Sequence, residues 1–177
     1  ESRVQELKQK ATQLPNDIQW HFIGHLQTNK VRDILKLKPY IIESVDSKRL
    51  LHAINTEAEK LGIIQNILLE VHVAQEETKS GFTPNELTTL LSTDICASLP
   101  NIRICGLMSM ATNTEDETEI RRCFSTAATL ASNIQHLTSD IILSMGMSDD
   151  YKIAMEYGSN SVRIGSSIFG EREYPHK

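Results

Sequence analysis

Strand signals and helix signals alternate along the whole chain, and this restricts the fold more than any other feature of its 177 residues. Short apolar, β-rich runs stand at 18–24, 40–45, 66–73, 102–110, 140–145 and 161–164, about six strands in all. Between them lie segments with the 3.6-residue apolar spacing of helices. A first helical stripe, Val4, Leu7, Ala11 and Leu14, precedes the strands and stops at Pro15. Ser47 is a good N-cap for a helix carrying Leu50, Leu51, Ile54, Ala58 and Leu61, and Gly62 stands just past its end. Thr83-Pro84-Asn85-Glu86 supplies cap, proline and capping-box Glu for a helix burying Leu87, Leu90, Leu91, Ile95 and Leu99. Thr114 with Glu117 repeats the signature before Ile120, Cys123, Phe124, Ala127, Ala131 and Ile134.

Such alternation predicts a parallel sheet covered by helices, either doubly wound or a (β/α)8 TIM-type barrel. The barrel is favoured. No Gly-x-Gly-x-x-Gly opens a first unit, and polar or small residues recur past the strand ends at Gly24-His25, Ser44, Ser109, Ser144, Ser148 and Ser166, as on a barrel's active rim. About six strands of the required eight are present, which predicts exposed backbone at both sheet edges. Together with the abrupt opening at Glu1, this predicts a single barrel domain over 1–177 from which an N-terminal piece has been removed. Strand pairing between two copies is one way to close it.

Composition excludes several classes. Forty per cent hydrophobic and 23% charged residues suit one globular domain, and a net charge of -5 leaves no electrostatic footprint for nucleic acid or an anionic membrane. Cys96, Cys105 and Cys123 have no paired short spacing, which points to a reducing compartment; cytoplasmic is the default location.

The stretch from Leu143 to Gly170 carries the strongest functional signal. Both of its strands end in Gly/Ser turns, at Gly146 to Ser148 and at Gly165-Ser166-Ser167. Free backbone N–H groups at such strand ends bind anions and phosphorylated ligands in α/β proteins, and Arg163 adds a bidentate donor. Ordinary turn chemistry explains the same residues equally well.

The segments RVQELKQKA, WHFIGHLQTNKVRDI, SVDS, TKSGF, GLMSM and LSMGMSDDYKIAMEYGSNSVRIGSSIFGER resemble the pyridoxal 5′-phosphate homeostasis protein family over essentially the whole chain. The resemblance implies a fold-type III barrel like the N-terminal domain of alanine racemase. It implies binding of pyridoxal phosphate without robust turnover, as a carrier or buffer that serves cofactor-dependent apo-enzymes. The family's phosphate cradle maps onto Ser148, Arg163, Gly165 and Ser166, with Arg163 opposing the phosphate charge. Asp149 and Asp150, beside Ser148, would repel a phosphate and are expected to face solvent. The family holds its cofactor as a Schiff base on a Lys upstream of the part resembling Glu1 to Glu6, and that Lys is not in this sequence; the family also usually has Asn where Ser2 stands. The resemblance thus implies a site that lacks its covalent link in this sequence, whether the cofactor occupies it or leaves it unoccupied.

Other chemistry has less support. Lys79 lies in a loop after a strand, but Glu76 and Glu77 beside it favour a solvated ammonium over a Schiff-base amine. His21, His25 and His72 match no metal-ligand spacing. Met108, Met110, Met145 and Met147 are expected to line the barrel top, and Cys105 and Cys123 to be small core residues. No strained nucleophile elbow supports a hydrolase. The alternative class is a fold-type III enzyme, an amino-acid racemase or decarboxylase. Racemases of that type need a second domain, and this chain ends soon after Phe169 to Arg172.

Overall fold

A computed structural model describes residues 1–135 and 137–170. After α1 (Val4–Gln13), six strands follow: β1 (His21–Phe22), β2 (Ile41–Val45), β3 (Gln65–Val71), β4 (Ile102–Ser109), β5 (Ile142–Met147) and β6 (Ser161–Arg163). Between and after them come a 3-10 turn (Thr28–Lys30), α2 (Val31–Lys36), α3 (Lys48–Leu61), α4 (Pro84–Leu91), α5 (Ile95–Ser98), α6 (Glu117–Ser132), α7 (Tyr151–Glu156) and α8 (Ser166–Phe169).

All pairings are parallel, and the spatial order is β1-β2-β3-β4-β5-β6, the order of the sequence. A doubly wound sheet reverses direction at a switch point. This one never reverses, and its faces bury two separate apolar clusters. The larger, with Phe22, Ile34, Leu51, Ile67, Leu107, Phe124 and Met145, lies between the strands and the helices. The smaller, Ile41, Leu68 and Met108 with Cys105, Met110 and Ile142 against it, fills the concave face. The architecture is therefore a half-barrel with β1 and β6 as its edge strands among the described residues, and the backbone of Glu1 bonds the outer side of β1 at the His21 carbonyl and the Ile23 N–H.

Curvature is visible in a single contact. Ser144 Oγ on β5 donates to Glu43 Oε2 on β2 at 2.5 Å, although β3 and β4 lie between them. In a flat sheet, strands three places apart are separated by about 14 Å. Register shifts in β2–β3, β3–β4 and β5–β6 supply the bend. At Gly146, with φ of 95°, a Cβ would meet the Ala154 Cβ at 2.7 Å, so α7 packs directly on bare backbone.

Local signals account for most element ends. Ser47 accepts from Leu50 N, and Gly62 closes α3 at φ 64°. The Thr83–Glu86 capping box forms in full. Its helix ends at Leu91, short of Ile95 and Leu99, because Ser92 and Thr93 turn their hydroxyls back to the carbonyls of Thr89 and Leu90, and Asp94 starts α5. The Thr114–Glu117 box does not form. Asp116 caps α6 by accepting from Thr118 N, while Thr114 Oγ1 accepts from Asp116 N. The first strand spans only two residues and pairs with β2 alone among the strands.

Candidate functional site

The concave face carries a polar chain inside an apolar lining. His21 on β1 sets Nδ1 2.6 Å from Glu43 Oε1, and Glu43 Oε2 accepts from Ser144 Oγ. Arg163 on β6 donates Nη1 to Ser144 O at 2.9 Å and to Ser144 Oγ at 2.8 Å, and Nη2 to Ser109 O at 2.8 Å. One continuous hydrogen-bonded path thus joins β1, β2, β5, β6 and the end of β4.

Two glutamates on this face differ in state. Burial works to raise the Glu43 carboxyl, but hydrogen bonds from His21 and Ser144 and the Arg163 charge outweigh it and leave it below its ordinary value. An ionised carboxylate only accepts, so His21 Nδ1 carries the shared proton. Glu70 on β3 is equally buried, and desolvation, aided by Asp46 and opposed by Arg163, pushes it up to about 7. Burial also pulls the Arg163 guanidinium below its ordinary value.

The predicted phosphate residues do not form a single cluster. Ser148 Oγ accepts from Gly165 N and Ser167 N at 3.4 Å each, which joins the ends of β5 and β6. Ser166 opens α8 beside them. Arg163 is the exception: its guanidinium donates to Ser144 and Ser109 and to none of these three. A hollow of about 530 Å³ reaches Ser148 and Ser167 from the α7 side, lined also by Tyr151, Met155, Val162 and Ile164, and the guanidinium is not part of it. Asp149 is exposed as expected, and Asp150 is half-buried; its Oδ1 accepts from Met147 N at 2.6 Å and closes the turn before α7.

Several rim residues prove internal. Ser44, Ser109 and Ser144 are buried, Ser44 holding the Gly24 carbonyl at 2.5 Å. Of the methionines, Met108 and Met110 line the concave face, Met145 belongs to the helix-side core and Met147 is 41% exposed. Cys123 is fully buried and Cys105 lies on the concave face. Lys79 is clipped between Glu76, at 2.8 Å, and the Ala111 carbonyl, at 2.7 Å. Among the described residues no cluster of His, Cys, Asp or Glu is arranged to hold a metal ion. No described helix is long and apolar enough to cross a membrane. Glu171 and Arg172, which close the resembling stretch, lie outside the described residues.

Sequence reasoning missed Glu43, Glu70 and the role of Ser144. The signal was present: each glutamate follows two apolar residues within a buried strand, in Ile41-Ile42-Glu43 and Leu68-Leu69-Glu70.

The alanine racemase N-terminal domain model matches residues 1–173. A pyridoxal phosphate homeostasis protein of Helicobacter pylori is 41% identical over 172 residues, covering 97% of this chain and 76% of the relative. PipY of Synechococcus elongatus, solved with pyridoxal phosphate bound, is 31% identical at a TM-score of 0.80, over 96% of this chain and 79% of PipY. Without the cofactor, its TM-score is 0.86. Alanine racemase of Clostridium difficile shares the fold alone, at 16% identity and a TM-score of 0.74, over 99% of this chain and 44% of the racemase.

Proposed function

The chain belongs to the alanine racemase N-terminal domain family, in its pyridoxal phosphate homeostasis branch, and from that premise we propose that it binds pyridoxal 5′-phosphate to hold and deliver it, without robust turnover. The observation that carries the reading is the convergence of two backbone N–H groups, Gly165 and Ser167, on the Ser148 hydroxyl. At 3.4 Å these are long bonds, and a phosphate oxygen is a stronger acceptor for both donors. A Cβ built on Gly165 meets nothing within 4 Å, so space above the turn is open to a ligand.

In this reading Ser148, Gly165 and Ser166 grip the phosphate, with Ser167 beside them. The ring then lies back along the strand ends, over the concave face, where Arg163 meets it. A guanidinium only donates, so it suits a ring nitrogen that carries no proton. Met110 supplies apolar surface there. The bound cofactor brings a reactive aldehyde. No lysine stands in any of the six strands, so the strands themselves offer the ligand hydrogen bonds and apolar surface and no amine. Apo-enzymes that accept the cofactor are the partners this role implies.

Titration of the chain with pyridoxal phosphate, followed by absorbance, tests the reading. Saturable binding is expected, with Ser148→Ala weakening it about tenfold, the worth of one hydrogen bond to a charged group. No saturable binding, or a Ser148→Ala chain that binds as tightly as the parent, overturns it. Sustained racemisation of alanine would overturn the carrier role.

A further inference from the structure

Glu43 takes no part in the phosphate grip, yet both of its oxygens are spoken for. Oε1 faces His21 Nδ1 at 2.6 Å, Oε2 accepts from Ser144 Oγ at 2.5 Å, and the side chain is buried. Ser144 has one proton, and it goes to this carboxylate. The hydroxyl then has only lone pairs left, and one receives Arg163 Nη1 at 2.8 Å. The orientation of a hydroxyl on β5 is therefore set from β2, and the orientation of the guanidinium is set by that hydroxyl. The Ser109 carbonyl holds the other arm of the fork. These contacts use three of the five guanidinium hydrogens. Nε–H and one Nη2 hydrogen have no acceptor among the described residues.

We propose that Glu43 is a positioning residue for the cofactor ring: through Ser144 it fixes the Arg163 guanidinium so that its two remaining N–H groups meet the ring. The inference rests on the reading that the ring lies against Arg163, and it assigns the ring's orientation to a residue that does not touch it.

The test uses nitrogen-15 NMR of the ligand-free chain together with absorbance titrations, with inorganic phosphate as competitor. In the parent chain the Arg163 side-chain N–H signals should be separate, because a clamped guanidinium rotates slowly. Glu43→Gln should merge them, reduce pyridoxal phosphate affinity about tenfold and shift the absorption maximum of the bound cofactor. It should leave competition by inorganic phosphate unchanged, because the phosphate grip is separate. Ser144→Ala, which keeps the Glu43–His21 contact, should give the same pattern and carries the test if Glu43→Gln does not fold. Separate Arg163 signals and an unshifted spectrum in both variants would overturn the inference while leaving cofactor binding intact. Failure of the parent chain to bind pyridoxal phosphate would instead overturn the functional reading, and the ligand-free spectra would still decide whether Glu43 clamps the guanidinium.

Discussion

Glu43 and Glu70 stand on adjacent strands, face the same concave side of the sheet and are 1% and 4% exposed, yet they hold their protons differently. Glu43 has a histidine, a hydroxyl and a nearby guanidinium to compensate its charge. Glu70 has Asp46 as an unfavourable neighbour, and Arg163 compensates it only in part. Burial sets the cost of a carboxylate's charge; the donors around it decide whether that cost is met. The half-barrel thus offers a fixed, ionised side at Glu43 and a side at Glu70 that exchanges a proton near neutrality.

Removing the better-compensated carboxylate should do the greater damage. Glu43→Ala strands the Ser144 hydroxyl, the His21 N–H and part of the Arg163 charge on the concave face. Losing one member of such a buried network costs about 3–5 kcal/mol. Urea denaturation at pH 7 measures it, and a loss below about 1 kcal/mol would show that the network rearranges freely and that the contrast with Glu70 is overstated.

The second test uses pH. Glu70 in the folded chain binds its proton up to about 7, against 4.5 for the ordinary group. Folded protein therefore holds a proton that the unfolded chain releases, and this group's contribution to stability falls as pH rises from 4.5 to about 7. Glu43 has the opposite sign: its lowered value makes its contribution present above 4.5 and lost as pH falls through the folded value. Glu70→Gln should accordingly gain on the parent by at most about 3 kcal/mol between pH 4 and pH 9. Paired denaturation curves at the two pH values check it. A difference that does not change with pH would mean that water or a donor reaches Glu70, and the distinction between the two sides would disappear.

How much of this was legible in the chain depends on the kind of signal. Strand–helix alternation gave the parallel sheet, and Ser47, Gly62 and Thr83 to Glu86 marked helix ends because each acts within a few residues of itself. The turns at Ser148 and Gly165 were legible for the same reason, because turn chemistry is local; that the two hydrogen-bond to each other is seen only in the fold. Arg163 was singled out, but its strand partners were not. Its partners, Ser144 and Ser109, lie 19 and 54 residues away, and only the closed-up sheet brings them within reach. The Ser144–Glu43 contact spans 101 residues and has no local trace beyond a glutamate set in an apolar strand. Asp116 displaced Thr114 as the α6 cap because the two signatures overlap and only backbone geometry chooses between them.

The smallest effect belongs to the ion pair outside the buried network. Lys79 meets Glu76 at 2.8 Å with side chains 23% and 32% exposed, and Lys79 also donates to the Ala111 carbonyl, tying the loop after β3 to the loop after β4. Glu76 is held down to about 2, chiefly by its hydrogen bond from Lys79 and also by the Asn113 backbone N–H. Water screens such a pair, so Lys79→Ala should cost several-fold less than the loss of Glu43, and the cost should shrink in high salt. Pyridoxal phosphate should bind the variant as it binds the parent, because the loop clip lies outside the proposed grip. A thermal melt and one absorbance titration decide both points. A large, salt-insensitive loss would place this loop on the same footing as the buried network. A loss of cofactor binding would bring Lys79 and its loop into the grip that its two contacts argue against.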